Sequence, residues 1–254
     1  MFLGTLATFS AQEKQIDEVL IQGKFFETPY QKVNENIVVI QHKEIEQSPA
    51  KSIDELLQQY TGVDIRKRGG NGVLSDISIR GGSYDQVLIL VNGIRMNDSQ
   101  TGHNSFNIPI DLSNVEQIEI VKGPAARRFG NNAYAGVINI ITKNAKKSFE
   151  GDLSYQYETI ESHKANIGIG SKQRWGNIRL TSFYNFREPY LLKDREPLIT
   201  YKNGVAEPSP KSELNIAGFT TYGVTPKLSF NLSPKTDLTL TPNYYFSERN
   251  QGDR

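Results

Sequence analysis

The 254-residue chain has no cysteine, one tryptophan, two methionines and three histidines. Without thiols it can build neither a disulfide framework nor a thiolate metal site. His42, His103 and His163 lie far apart and show no metal-ligand spacing. Neither sign of charge prevails: 29 basic and 28 acidic residues leave a formal net charge of +1. That balance argues against a general nucleic-acid binder, which carries a basic excess. Arg68-Gly69-Gly70 occurs once and inside a folded pattern, so it is no Gly/Arg tract. The longest apolar run is Val87-Leu88-Ile89-Leu90-Val91, far short of the roughly 20 residues of a spanning helix. A membrane, if there is one, is met with strands. No nucleophile elbow, phosphate loop or paired-carboxylate constellation is present, so neither enzyme chemistry nor a cofactor is expected.

What the chain has in quantity is aromatics, 12 Tyr and 12 Phe, and two regions of different periodicity. Residues 1–11 are small and apolar before polarity rises at Gln12, which reads as a residual secretory signal cleaved near Ser10 or Ala11, although no basic segment precedes it. Ile37 to Lys143 alternates short strands with helical and turn signals. Ile37 to Ile40 is a buried strand. Ser52-Ile53-Asp54-Glu55 predicts a capping box, with the Ser52 hydroxyl taking the Glu55 amide and the Glu55 carboxylate reaching back. Ile53, Leu56, Leu57 and Tyr60 follow at helical spacing, and Gly62 stops the helix. Further strands are expected at Val63 to Ile65, Ile77 to Ile79, Val87 to Val91, Val115 to Val121 and Val137 to Ile141, with an Asn92-Gly93 hairpin turn leading into Ile94 to Met96. This is a small α+β domain.

After Phe149 the pattern becomes strict alternation. Leu153, Tyr155 and Tyr157 begin it; Ala165, Ile167 and Ile169 continue; then come Ile178, Leu180, Tyr184 and Phe186. Leu214, Ile216 and Tyr222 form a fourth run, Leu228, Phe230 and Leu232 a fifth, and Leu238, Leu240, Tyr244 and Phe246 a sixth. Phe183, Phe219 and Tyr245 break the rule. A soluble sheet with one wet face shows the same dyad, but six segments in a row with aromatics near their ends match lipid-facing barrel strands. The turns Gly170 to Trp175 and Leu232 to Asp237 are short, while Pro189 to Ser212 is long and polar, as in outer-membrane barrels. The 105 residues after Phe149 suffice for about six strands, whereas a barrel wide enough to hold a folded plug needs about 22. The chain therefore reads as a fragment with an incomplete transmembrane β-barrel.

The segment Val115 to Lys143, Val-Glu-Gln-Ile-Glu-Ile-Val-Lys-Gly-Pro-Ala-Ala-Arg-Arg-Phe-Gly-Asn-Asn-Ala-Tyr-Ala-Gly-Val-Ile-Asn-Ile-Ile-Thr-Lys, closely resembles the plug-closing segment of TonB-dependent outer-membrane receptors. Asp76 to Gly82 resembles the family's Ile-Arg-Gly strand, and Val87 to Arg95 its following hairpin. Lys51 to Leu57, Gly62 to Ile65 and Gly69 to Ser75 are similar to the cobalamin-receptor branch. The resemblance implies an α+β plug domain followed by antiparallel strands of a plugged barrel, 22-stranded when whole. Its divisions would be the signal residue stretch 1–11, a TonB box and tether 12–36, a plug 37–148 and barrel strands 149–254.

Carried over, two apical plug loops meet the ligand, which makes Arg68, Asn71, Leu74, Ser75, Thr101 and His103 the ligand-contact candidates. Arg68 is bulkier and more charged than that branch's pattern, which points toward an anionic chelate, so a ferric siderophore stands beside a cobalamin-type corrinoid as cargo. Ile16, Asp17, Glu18, Val19, Leu20 and Ile21 resemble a TonB box, a segment that adds as a strand to the edge of the TonB protein's sheet. Arg80 and Lys122 lie where the family places plug cations opposite barrel glutamates; Lys122 stands where arginine is usual. The implied partners are TonB with its inner-membrane energising complex, a small nutrient chelate and outer-membrane lipid, with the plug facing the periplasm. The other class left open is a non-transporting structural or surface-binding module, which would need no TonB box.

Overall fold

The computed structural model describes residues 20–21, 28–29, 36–67, 75–97, 108–158, 162–192, 199–202, 204–208, 214–216, 218–233 and 236–249. The strands β1 (Leu20–Ile21) and β2 (Thr28–Pro29) pair antiparallel. The plug that follows contains β3 (Ile37–Gln41), α1 (His42–Gln47), α2 (Ile53–Gln58), β4 (Val63–Lys67), β5 (Ser75–Ile79), β6 (Val87–Val91), β7 (Ile94–Arg95), β8 (Val115–Lys122) and β9 (Gly136–Thr142). Five of these strands form one sheet in the order β3-β8-β9-β6-β7, with β6 and β9 parallel and the other pairs antiparallel. β4 and β5 make a separate antiparallel pair.

The apolar runs explain that order. β6 and β9 are buried along their whole length, as continuous rather than alternating apolar sequence requires of strands covered on both faces. Ile89, Ile118, Ile120, Ile138 and Ile140 are fully enclosed and pack with Leu56 and Leu57 of α2 and with Ile77 and Ile79 of β5. The β6–β7 turn is the expected Asn92-Gly93 pair, both in the left-handed region at φ 50 and 80. The predicted capping box at α2 is corrected: Ser52 makes no side-chain cap, and the Glu55 carboxylate accepts from the Lys51 amide at 2.9 Å instead. α1 was not foreseen, being only six residues long with Ile45 its one buried residue.

One polar group sits inside this sheet. Glu119 is fully buried and accepts from Asn139 Nδ2 at 3.0 Å and from Gln117 Nε2 at 2.8 Å, while Asn139 Oδ1 takes the Gly93 amide at 3.1 Å. A buried acceptor that loses its donor bears its desolvation uncompensated. Asn139→Leu is therefore expected to destabilise the plug by about 2 kcal/mol, seen as a lower midpoint for the plug's unfolding transition; an unchanged midpoint would contradict the account.

The wall consists of β10 (Glu150–Glu158), β11 (Ser162–Gln173), β12 (Gly176–Arg187), β17 (Phe219–Ser233), β18 (Thr236–Leu240) and β19 (Tyr244–Arg249), all antiparallel. β18 and β19 both pair with β17 in one continuing register, Leu228 opposite Leu240 and Val224 opposite Tyr244. That register puts Pro226 opposite Pro242, where the ladder is interrupted for residues 241–243. Two facing prolines supply no amide to bridge the gap. The six runs of the sequence thus make five spans: the fourth and fifth join into β17, 15 residues long, and the sixth divides at Pro242. Leu214 and Ile216 leave the wall. They lie in β16 (Leu214–Ile216), which pairs with β13 (Tyr190–Leu192), and β14 (Ile199–Lys202) pairs with β15 (Val205–Pro208). The long polar connection is therefore two short ladders rather than a plain loop.

The two ends of the wall differ. The two-residue turn 174–175 joins β11 to β12 at one end, where β17 also passes to β18; β10 passes to β11, and β12 to β17 through the 188–218 connection, at the other. The outward face is exposed and apolar, with Leu153, Tyr155, Ile167, Ile169 and Leu180 open to the surroundings. Aromatic groups mark both its ends, Trp175 stacked on Phe230 at the two-residue-turn end and Tyr157, His163 and Phe186 at the other. His163 is not simply solvated, for Tyr155 Oη lies 2.7 Å from its Nδ1. Apolar staves with aromatic bands are the surface that a lipid bilayer covers.

Candidate functional site

The inward face of the wall is polar yet buried, because it lies on the plug. Lys51 Nζ reaches Glu158 at 2.7 Å, and Lys164 Nζ both pairs with Asp111 at 2.9 Å and donates to the Lys51 carbonyl at 2.8 Å. Asn114 Nδ2 donates to Thr181 Oγ1 at 2.8 Å, and Lys227 Nζ to the Thr142 carbonyl at 2.9 Å. Asn177 accepts from the Ala145 amide and donates to the Ala145 carbonyl. Arg179, nearly sealed, pairs with Glu150 at 3.0 Å and with Asp152. The Glu158 carboxylate holds the Lys51 ammonium above its ordinary pKa, while burial pushes that of Lys143 down against the pull of Asp152. These seam residues were missed by sequence reasoning. Their signal was present as the polar half of the strand alternation, which reads identically whether water or a polar protein surface covers it.

At the end of the wall that bears the long connection, plug and wall part to leave a cleft of about 190 Å³. From the plug it is bordered by Ser75, by the start of α2 and by Ile108 to Leu112; from the wall by β11, β12, β17 and β19. Ser75 opens β5 with only 5% of its surface exposed. It is the one ligand-contact candidate within the described residues and it does line the cleft; Arg68, Asn71, Leu74, Thr101 and His103 lie outside them. Lys67, the last residue of β4 before the candidate loop, reaches Asp54 and Glu55 of α2, each at 3.4 Å. β4, α2 and the wall are thereby tied through Lys67, Glu55 and Lys51.

The residues that broke the alternation gather here. Phe183, Phe219 and Tyr245 all turn inward, and Phe183 is 9% exposed. Phe183 and Tyr245 sit on either side of Gly223 in register, with ring centroids 6.2 Å apart. A Cβ on Gly223 would lie 2.7 Å from the Phe183 ring, so the missing side chain lets the two rings meet. One further row toward the rim is Asn185, Thr221 and Ser247, and beyond it Arg187, Phe219 and Arg249, again in register. The Arg187 guanidinium lies 5.0 Å from the Phe219 ring centre.

Arg80 and Lys122 are together on the plug: a Cβ built at Gly62 would meet Lys122 Nζ at 3.6 Å and Arg80 Cγ at 3.8 Å. Lys122 donates to the Thr61 carbonyl, and burial, followed by the neighbouring Arg80 charge, pushes its ammonium below its ordinary pKa. Arg80 holds φ 52, a left-handed conformation that a non-glycine residue adopts at a cost on the order of 1 kcal/mol. Among the described residues neither cation is in an ion pair with an acid. Of the candidate box, only Leu20 and Ile21 are described, as β1; Ile16, Asp17, Glu18 and Val19 lie outside the described residues.

Residues 29–137 match the family model described as the TonB-dependent Receptor Plug Domain. The chain is 32% identical over 193 residues to the vitamin B12 transporter BtuB of Vibrio vulnificus, covering 75% of this chain and 32% of that one. It is 34% identical over 215 residues to the vitamin B12 transporter BtuB of Vibrio cholerae, covering 78% and 35%. Its fold superposes on the siderophore receptor PirA of Acinetobacter baumannii with a TM-score of 0.63 at 20% identity, over 84% of this chain and 32% of that one. It also superposes on Pseudomonas aeruginosa FpvA with a TM-score of 0.69 at 15% identity, over 92% and 28%. The chain spans about a third of the length of the curated relatives it matches. A plug sheet seated on antiparallel wall strands is the arrangement of this family, whose members are outer-membrane receptors and not enzymes. The chain belongs to the TonB-dependent receptor family.

Proposed function

We infer that the chain is the plug and first wall of a receptor that imports a scarce nutrient across the outer membrane, driven by TonB, with a cobalamin-type corrinoid as cargo. The observation that carries the reading is the cleft at Ser75, where the start of the plug's β5 and the wall border one space. The corrinoid is favoured by the two relatives named as vitamin B12 transporters. The basic side chain of Arg68 in the candidate loop favours a ferric siderophore as the second reading.

In this scheme the end with the long connection faces outward and the end with the 174–175 turn faces the periplasm. Ligand seated against the apical loops shifts the plug toward a state in which 16–21 is released, a population shift between two arrangements. TonB then pairs with that segment as an added strand and draws on it. Arg80 and Lys122 serve as the latch toward acids in wall strands beyond β19. The test is binding of cyanocobalamin and of a ferric siderophore to the complete receptor in detergent. Tight cyanocobalamin binding, weakened at least tenfold by Ser75→Arg, is the expected outcome, since a long charged side chain at this buried position would occupy the cleft. Binding of the siderophore alone would move the cargo to the second reading. Absence of binding to either would remove the support for Ser75.

A further inference from the structure

Beneath the cleft, between the turn ahead of β8 and the middle of the wall, plug and wall enclose a second and much smaller space. The plug borders it with Asp111 and Asn114, and the wall with Asp152, Asn166 and Thr181. Both asparagines are more than nine-tenths buried, at 8% and 6% exposed. Their amide nitrogens are spent on the wall. Asn114 Nδ2 donates to Thr181 Oγ1 at 2.8 Å and Asn166 Nδ2 to Ser154 Oγ at 3.3 Å. The first of these bonds fixes its carboxamide. The Thr181 hydroxyl gives its one proton to the Thr225 carbonyl at 3.2 Å, so toward Asn114 it only accepts. Asn114 Oδ1 is therefore turned away from Thr181. Neither it nor Asn166 Oδ1 meets a hydrogen-bond partner among the described residues. A buried carbonyl oxygen without a donor bears its desolvation uncompensated, and such atoms are rare in folded proteins. Here two of them, one from the plug and one from the wall, belong to residues that border the same space.

Size and charge decide what the space takes. The room open to the centre of a water is about 10 Å³, and one water needs about 10–15 Å³ on that measure. The two carboxylates at its border already face cations of the protein, Asp111 facing Lys164 at 2.9 Å and Asp152 facing Arg179. No group of three acidic, histidine or cysteine side chains able to hold a metal occurs among the described residues. The arrangement suits a small neutral molecule with two hydrogens to donate.

We propose that Asn114 and Asn166 form the binding site of one buried water, which donates a hydrogen bond to each Oδ1 and so joins the plug to β11 through solvent. This goes beyond the uptake reading and holds for either cargo. The bridge differs in kind from the direct bonds beside it, Lys164 to Asp111 and Asn114 to Thr181. Where plug and wall part at this point, each oxygen exchanges one water for another and is left with its bond.

The experiment is a crystal structure of the complete receptor at a resolution that places single waters, for wild type and for Asn166→Leu. In wild type one peak should lie about 2.7–3.2 Å from both carboxamide oxygens. In Asn166→Leu, whose side chain is close in size and accepts nothing, that peak should be lost while the Lys164–Asp111 pair remains. Empty space between the asparagines in wild type, or direct contact of the two carboxamides, overturns the proposal. A peak with six or more oxygen neighbours at about 2.3–2.6 Å is a bound cation and overturns it too, as does a peak that survives Asn166→Leu. A double-mutant cycle supplies a second measure without crystals of the variants. Asn114→Leu, Asn166→Leu and the double variant, each first shown to be a folded barrel by heat-modifiable migration, are compared by the urea concentration at which protease reaches the plug. The two residues make no direct bond to each other. A shared water nevertheless couples them, so the double variant should shift the midpoint by less than the sum of the single shifts. Additive shifts overturn the bridge. Where a variant does not fold, the wild-type peak alone decides.

Discussion

Deleting Asp17 to Ile21 is expected to abolish uptake while leaving ligand binding at the cell surface unchanged. Among the described residues β1 is held to β2 by two residue pairs, Leu20 with Pro29 and Ile21 with Thr28. A net gain of about 1 kcal/mol per hydrogen bond makes such a ladder cheap to exchange. Pairing with the edge of another protein's sheet restores the same main-chain bonds and extends them along the strand. The segment also leads into β3, which among the described strands is an edge of the plug sheet, paired with β8. Tension on residues 16–21 therefore reaches the plug at one of the two edge strands of its sheet. The cleft residues lie on other elements, so binding should survive the deletion. The check is accumulation of labelled ligand in energised cells against binding to the same cells in the cold. Continued accumulation would sink the energy-coupling claim.

Gly136→Val should prevent the plug from reaching its native packing. Gly136 opens β9, buried, opposite Lys122 of β8 and Val87 of β6. A Cβ there would fall 2.6 Å from Ile79 Cδ1 and 2.9 Å from the Val121 carbonyl oxygen. Ile79 Cδ1 is the far end of a side chain, but the carbonyl belongs to the paired strand and moves only if the sheet does. Valine adds two more methyl groups to the same crowded place. The cost is about 3 kcal/mol or more, the upper range for an overfilled core. It is measured as accessibility of the plug to protease in the assembled receptor, with Gly136→Ala as the milder step. Equal resistance of the valine variant and wild type would show that the strand has more room than the packing indicates.

Much of the plug was legible because its strands are local apolar runs bounded by punctuating residues. Val87 to Val91 could only be a strand covered on both faces, and Asn92-Gly93 could only turn. The Ser52 box failed because Glu55 found a nearer amide at Lys51, and no sequence rule ranks two adjacent donors. In the wall, alternation gave the outward face correctly, but Tyr222, Leu228, Phe230 and Leu232 keep one phase and were still divided between two strands. Attention to phase rather than to gaps would have joined them. The site was legible in an unexpected place. Phe183, Phe219 and Tyr245 violated the alternation, and an aromatic on the polar face of a barrel strand needs something inside to meet it. The seam of Asn114, Lys164 and Lys227 could not be read, since each bond joins residues far apart in sequence.

The break between β18 and β19 separates the wall's outermost described strand into two parts that need not move together. Pro226 keeps its place in the ladder with β12, opposite Leu180, so its missing amide is felt on the β19 side, where Pro242 faces it. Tyr245 and Arg249 ride on the short part above the break, held to β17 by six residue pairs. That part is joined to Thr236–Leu240 through residues 241–243, which stand outside the ladder with β17. The two sides of the cleft therefore differ in build, Arg187 standing on the unbroken β12 and Tyr245 and Arg249 on the interrupted strand. In amide exchange the two halves of this strand would open with separate rates, the upper one faster. In a wall built this way, the short piece that carries Tyr245 and Arg249 is separate from the stretches that bond the plug through Thr181 and Lys227.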